Sequence, residues 1–251
     1  MSAPLHLPSA GPEPIPGEVA LAAVVGYATA RRPLCYRAPN ARTGRWVEVP
    51  AFGFERFDRR PVPSGPLGER DILTAEGLHG RLGREAWTAL AAALPAVQEP
   101  AEALVTRAAG RAFWELPAEE FSVLAEPGTV GALLRRVDEL CADRGVSGAH
   151  VRAALHHRHP ALVPLLHDAT RWPLLPHVRE GDSGVDAVIH RELAGAADAA
   201  AQLEDAVHAA GLPLTRLRLH DVLLWLSASL RLEHAVAAGR SARAAPASRP
   251  S

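Results

Sequence analysis

From Thr74 onward the chain offers one helix-forming segment after another, with only short turns between them, and that pattern restricts it to an all-α fold. Leu78, Leu82, Trp87, Leu90 and Leu94 favour one helical face, and Gly80 and Gly83 mark a break near the start. Between Thr129 and Arg144 the stripe is clearest: Val130, Leu133, Leu134, Val137, Leu140 and Cys141 fall at helical spacing, with charges opposite. Glu99 to Arg111 and Pro117 to Ala125 read as short helices. Asp182 and Ser183 are expected to cap a long Ala-rich helix reaching about Ala210, closed by Gly211 and Pro213. Thr215 opens a final helix through LTRLRLHDVLLWLSASLRLEHAV. Ahead of this region, Glu18 to Ala30 predicts a first helix stopped by Pro33. Residues 33–68 are irregular and aromatic-rich, with WVEV either a short strand or part of a packed loop. The expectation is a single all-α, multi-helix domain over residues 17–236, between a Pro- and Ser-rich disordered arm (1–16) and a disordered tail (237–251).

Composition excludes more than it selects. All 27 basic residues among 251 are arginine, so Schiff-base chemistry on a lysine and a phosphate-binding P-loop lysine are both ruled out. A formal net charge of -1 gives no global field toward nucleic acid or membrane, although a local basic face remains compatible with it. Cys35 and Cys141 have no paired spacing, which argues against a disulfide framework and for a reducing compartment. The start MSAPLHLPSAGPEPIP lacks the charge and apolar run of a signal peptide, and no stretch approaches a membrane span. A cytoplasmic protein without a membrane partner is expected, and no cofactor is implied.

Polar chemistry concentrates in GVSGAHVRAALHHRHPALVPLLHDATRW, residues 145–172. Gly145 to Gly148 is a turn, Val151, Ala154 and Leu155 give the next helix an inner face, and Pro160 ends it and can begin another. His156 and His159, at i and i+3, would meet His167 and Asp168 if the second helix folds back, which makes these four the metal-ligand candidates. The His167-Asp168 doublet also resembles the metal-binding pair of HD-type phosphohydrolases. Against both stands a structural role, in which Asp168 and Asp221 cap helices or pair with buried arginines such as Arg171, Arg216 or Arg218.

In order, the turn, helix and Pro-interrupted run to Asp168 are similar to helix-hairpin-helix DNA glycosylases. That resemblance implies backbone N–H groups presented to a phosphate near Ser147, with Asp168 stabilising a sugar cation. Ser147 stands where that family's turn has its second glycine, and without lysine only a monofunctional glycosylase fits. Over residues 18–232, ERDILTAEGLHGRL, VRAALHHRHPALVPLLHD and LTRLRLHDVLLWLS together resemble an uncharacterised family of helical proteins from actinobacteria. Its pattern is kept at His156, Arg158, Pro160, Pro164 and Asp168, while His157 and His159 replace commonly basic residues. These resemblances and the residue chemistry imply Asp168 and His156 as catalytic candidates. Arg158, Ser147, Arg152, Asp221 and Trp172 are the ligand-binding ones, around a polar pocket for a nucleotide-like or other anionic small molecule, or for nucleic acid. The alternatives are a metal-dependent HD-type hydrolase and a non-catalytic binding or tailoring partner.

Overall fold

The first helix, α1 (Gly17–Thr29), is mostly alanine, valine and glycine, and small residues of this kind let a second helix approach closely. The computed structural model describes residues 3–40 and 42–244. In it, α1 leads into a hairpin of β1 (Arg31–Tyr36) and β2 (Arg45–Pro50), antiparallel with Leu34 opposite Val47. WVEV therefore adopts the strand alternative. The segment after β2 turns inward and buries Phe52, Phe54 and Phe57. Then come α2 (Glu69–His79), α3 (Arg84–Ala108), α4 (Val130–Asp143), α5 (Gly148–Arg158) and α6 (Asp168–Leu174). The chain continues with α7 (Val185–Gly195), α8 (Ala197–Ala209), α9 (Arg216–Ala228) and α10 (Leu232–Ala244). The described residues thus form a mostly helical domain of ten α-helices and one small hairpin.

Two large hydrophobic clusters make most of the core, beside a small third one of Phe57, Ala75, Ala153 and Leu165. One gathers Leu90, Leu94, Val97 and Leu104 of α3 with Val130, Leu134 and Val137 of α4, Leu155 of α5 and Val188 of α7. The other gathers α1, α8 and α10. Helix α9 serves both: Leu217 and Leu224 enter the first, whereas Leu219, Val222, Leu223 and Leu226 enter the second. Its near-continuous apolar sequence follows from being buried on two sides.

Several boundaries differ from those expected. Residues 3–16 are not a loose arm: Leu5 and Ile15 exchange backbone hydrogen bonds of 2.8 Å, and Leu5, Leu7 and Ile15 are buried. Both the amide and the hydroxyl of Ser9 donate to Glu192 at 2.8 Å. Alternate apolar residues among rigid prolines give this strap enough burial to be held, which composition alone conceals. Of the expected tail, residues 237–244 complete α10, and 245–251 lie outside the described residues. Helix α3 runs through Pro95 and Pro100, because its stripe from Leu90 to Ala108 buries against α4 and outweighs the lost hydrogen bonds. Helix α2 starts at Glu69, where the Asp71 side chain accepts the Gly68 N–H at 2.9 Å, rather than near Thr74. Residues 117–125 form only a 3₁₀ turn, and the long helices expected at 183–210 and 215–236 each break in two, the second at Leu230 with φ 57°. No described helix is long and apolar enough to cross a membrane.

Helices α1 and α10 cross almost backbone to backbone. A Cβ added at Gly26 would lie 1.8 Å from the Ala235 carbonyl oxygen, and one at Gly239 would lie 1.9 Å from that of Ala22. Gly26→Ala should therefore lower stability by about 1–3 kcal/mol, despite alanine's better helix propensity, because the helices must separate. Chemical denaturation of the variant measures this, and a stabilised variant would show that α10 docks loosely.

Candidate functional site

Most of the polar residues in the 145–172 stretch are committed to holding the fold. Ser147 caps α5: its hydroxyl accepts from the His150 amide at 3.4 Å and meets His150 Nδ1 at 2.8 Å. Arg152, at 1% exposure, is clamped between Asp138 (2.7 Å) and Asp186 (3.0 Å). Arg158 donates from Nε and Nη2 to the two oxygens of Asp71 at 2.6 and 2.7 Å, and its guanidinium also reaches the carbonyls of Gly65 and Pro66. It ties the aromatic-rich segment and α2 to α5. His156 Nδ1 meets the Val163 carbonyl at 2.7 Å, and its ring stacks on Phe57. His157 Nε2 meets the Arg60 carbonyl at 3.0 Å.

The expected pairing of Asp168 with His156 does not form a pocket. Asp168 is exposed in the first turn of α6, Trp172 on the same helix is 71% exposed, and none of Asp168, His156 and Trp172 borders a described cavity. The segment after Pro160 stays non-helical up to His167, so no second helix folds back at that point. Accordingly, His156, His159, His167 and Asp168 do not gather, and among the described residues no group of three or more His, Cys, Asp or Glu side chains is placed to hold a metal ion.

Two of the expected residues do converge. His167, just before α6, and Asp221, on α9, approach to 3.9 Å on the wall of a cavity of about 300 Å³. His79, the last residue of α2, completes this polar wall, its ring 5.5 Å from His167 and 5.3 Å from His150. The opposite lining is aromatic, with Phe52 stacked on Tyr27 at 5.7 Å and edge-on to Trp225 at 5.8 Å. Arg56 and Arg231 are exposed at the lining, and the Arg231 guanidinium lies over the Trp225 ring at 5.3 Å. His79, His167 and the pair Arg218 and Asp221 come from the three separated segments ERDILTAEGLHGRL, VRAALHHRHPALVPLLHD and LTRLRLHDVLLWLS, which meet here.

Behind the wall sits a buried ionic cluster. Arg218 holds Asp58 with Nε at 2.6 Å and Nη2 at 3.1 Å, and also pairs with Asp221 one turn along α9. Tyr27 donates to Asp58 at 2.7 Å and contacts the same guanidinium. Burial works against the charge of Arg218, yet Asp58, Tyr27 and Asp221 hold its pKa above the ordinary arginine value. Burial, reinforced by Asp58, raises Tyr27 well above the usual phenol range despite the opposing pull of Arg218. Two carboxylates thus share one guanidinium, and Asp221 Oδ1 is buried with no hydrogen-bond partner among the described residues. His79 Nε2 is in the same position, and burial, then His167 and His150, push the His79 pKa down to about 3. A wall of this kind accepts hydrogen bonds from a ligand.

Sequence reasoning missed Tyr27, Asp58, His79, Arg218 and Trp225 as parts of one site. The available signals were weak: Arg218 and Asp221 at i, i+3 inside an otherwise apolar helix, and a single tyrosine in an Ala-rich one. No protein-family model, curated protein or solved structure matches this chain, so its function rests on the cavity's own geometry.

Proposed function

We propose that the cavity between α1, α2 and α9 binds a small, planar, anionic ligand of nucleotide-like chemistry. The observation that carries this reading is Asp221 Oδ1, buried on a 5%-exposed residue without a hydrogen-bond partner, while Oδ2 pairs with an Arg218 that also holds Asp58. Such a group is costly to leave unsatisfied and is matched by an N–H-rich ligand edge, as on a nucleobase. Trp225 and Phe52, set edge to face, offer aromatic surface to a planar ring, and Arg56 and Arg231 at the lining suit a phosphate. Kinship with the actinobacterial helical family belongs to the same proposal, since its three resembling segments supply His79, His167, Arg218 and Asp221. Asp221, rather than Asp168, is then the carboxylate nearest the bound ligand.

Calorimetric titration with nucleoside monophosphates tests it. Asp221→Asn keeps the size of the side chain but turns one acceptor into a donor, and should weaken binding about 10- to 100-fold. Binding that is absent, or equal in the variant, removes the proposal.

A further inference from the structure

The hairpin of β1 and β2 stands apart from both cores. All six residues of β1 are exposed, and in β2 only Val47, Val49 and Pro50 are half-buried. Residues 31–45 hold five of the 27 arginines and no acidic residue, leaving 22 arginines against 28 acidic residues in the rest of the chain. The ribbon is therefore a locally basic segment on a protein whose remainder carries more acidic residues than arginines. Large aromatic side chains also stand out on it: Trp46 is 72% exposed and Tyr36 is 51% exposed, both poorly placed for any role in folding.

We infer that this ribbon binds single-stranded nucleic acid, with its arginines on the backbone phosphates and Tyr36 and Trp46 as platforms for bases. Register fixes which residues share a face. Tyr36 pairs with Arg45, and Arg32 follows on the same side, whereas Trp46 pairs with Cys35 and shares the other side with Arg31. Each face thus combines a planar ring with positive charge, the pairing that sequence-tolerant single-strand binding uses. An element that lies on a membrane separates an apolar face from a charged one, whereas in this ribbon an aromatic ring and arginine share each face. Arg31 is partly engaged by Glu55 at 2.7 Å, and Glu48 is exposed on the Trp46 face, so the Tyr36 face carries the stronger field. The base of the hairpin is closed by the Ala51 amide donating to Ala30 at 2.9 Å, and Ala51, Phe52 and Gly53 then line the cavity. A strand held on the ribbon therefore lies next to the cavity mouth, although ribbon binding stands without the cavity reading.

Fluorescence anisotropy with labelled oligothymidylate and oligouridylate of about 20 nucleotides, against a duplex of equal length, tests the proposal. Both single strands should bind more tightly than the duplex. Tyr36→Ala with Trp46→Ala should weaken them at least about tenfold, the loss that base stacking implies. Arg42→Ala with Arg45→Ala should weaken binding and lower the slope of log Kd against log salt by about 1.4. Neither pair of substitutions touches the core, so thermal midpoint and nucleoside monophosphate binding should stay as in the parent protein. The proposal is overturned by unchanged oligonucleotide affinity in both variants, by duplex bound more tightly than single strands, or by phosphatidylserine vesicles bound where oligonucleotides are not.

Discussion

Arg218→Met will lower the unfolding free energy by about 3–5 kcal/mol, the cost of leaving buried charge uncompensated. Asp58 and Asp221, at 4% and 6% side-chain exposure, both depend on this one guanidinium. Methionine fills much of the same volume, so the loss is electrostatic rather than a cavity effect. The guanidinium also lies over the rings of Tyr27 (5.3 Å) and Phe57 (5.4 Å), which ties α1 and the aromatic-rich segment to α9. Adding Asp58→Asn to Arg218→Met removes one of the stranded charges and should recover about half of the loss. Urea unfolding of the parent, the single and the double variant measures both effects. A single variant within about 1 kcal/mol of the parent would mean that water already reaches the cluster.

The same cluster explains what could be read from the sequence and what could not. Periodicity gave the helices, because the stripes of α3 and α4 are local and each buries against a neighbouring element. Breaks inside long helical stretches were hard to read: Gly195 is only a weak stop before Ala196, Leu230 carries none, and tertiary packing decides both. The candidate site was legible in part. Asp221 with Arg218 sits one helical turn apart, so their pairing follows from spacing. Asp58 meets Arg218 across 160 residues, and Phe57 meets His156 across the same fold, pairings no local pattern encodes. The histidine density of residues 150–159 misled for a physical reason. A histidine at a helix end is as well satisfied by a backbone carbonyl as by a ligand, and His156 and His157 each took one, Val163 and Arg60.

Buried histidines, His156 among them, make acid the second large effect. Burial first, and then Arg218, lowers His156 to about 4, while burial and the neighbouring His167 and His150 lower His79 to about 3. In the unfolded chain both return to about 6.5. Below that pH these two groups alone let the unfolded chain bind protons that the native state refuses, and His159 and His190, also lowered by burial, act in the same direction. Stability is therefore full above about pH 6.5 and falls as the pH drops toward the folded values, by about 2.5 kcal/mol per pH unit near pH 5. Glu120, Glu192 and Asp182 respond later. Burial pushes them up, but Arg107, His220 and Arg191 hold their charged forms below the ordinary carboxylate range, so their contributions are lost only below about pH 4.5. His156→Asn isolates the first window, because asparagine keeps an N–H for the Val163 carbonyl and cannot take up a proton. Urea unfolding between about pH 4.5 and 8 should show the slope near pH 5 reduced by about 1.3 kcal/mol per pH unit in the variant. An unchanged slope would mean that His156 is protonated within the native fold, and its stacking on Phe57 would then be a contact with a cation.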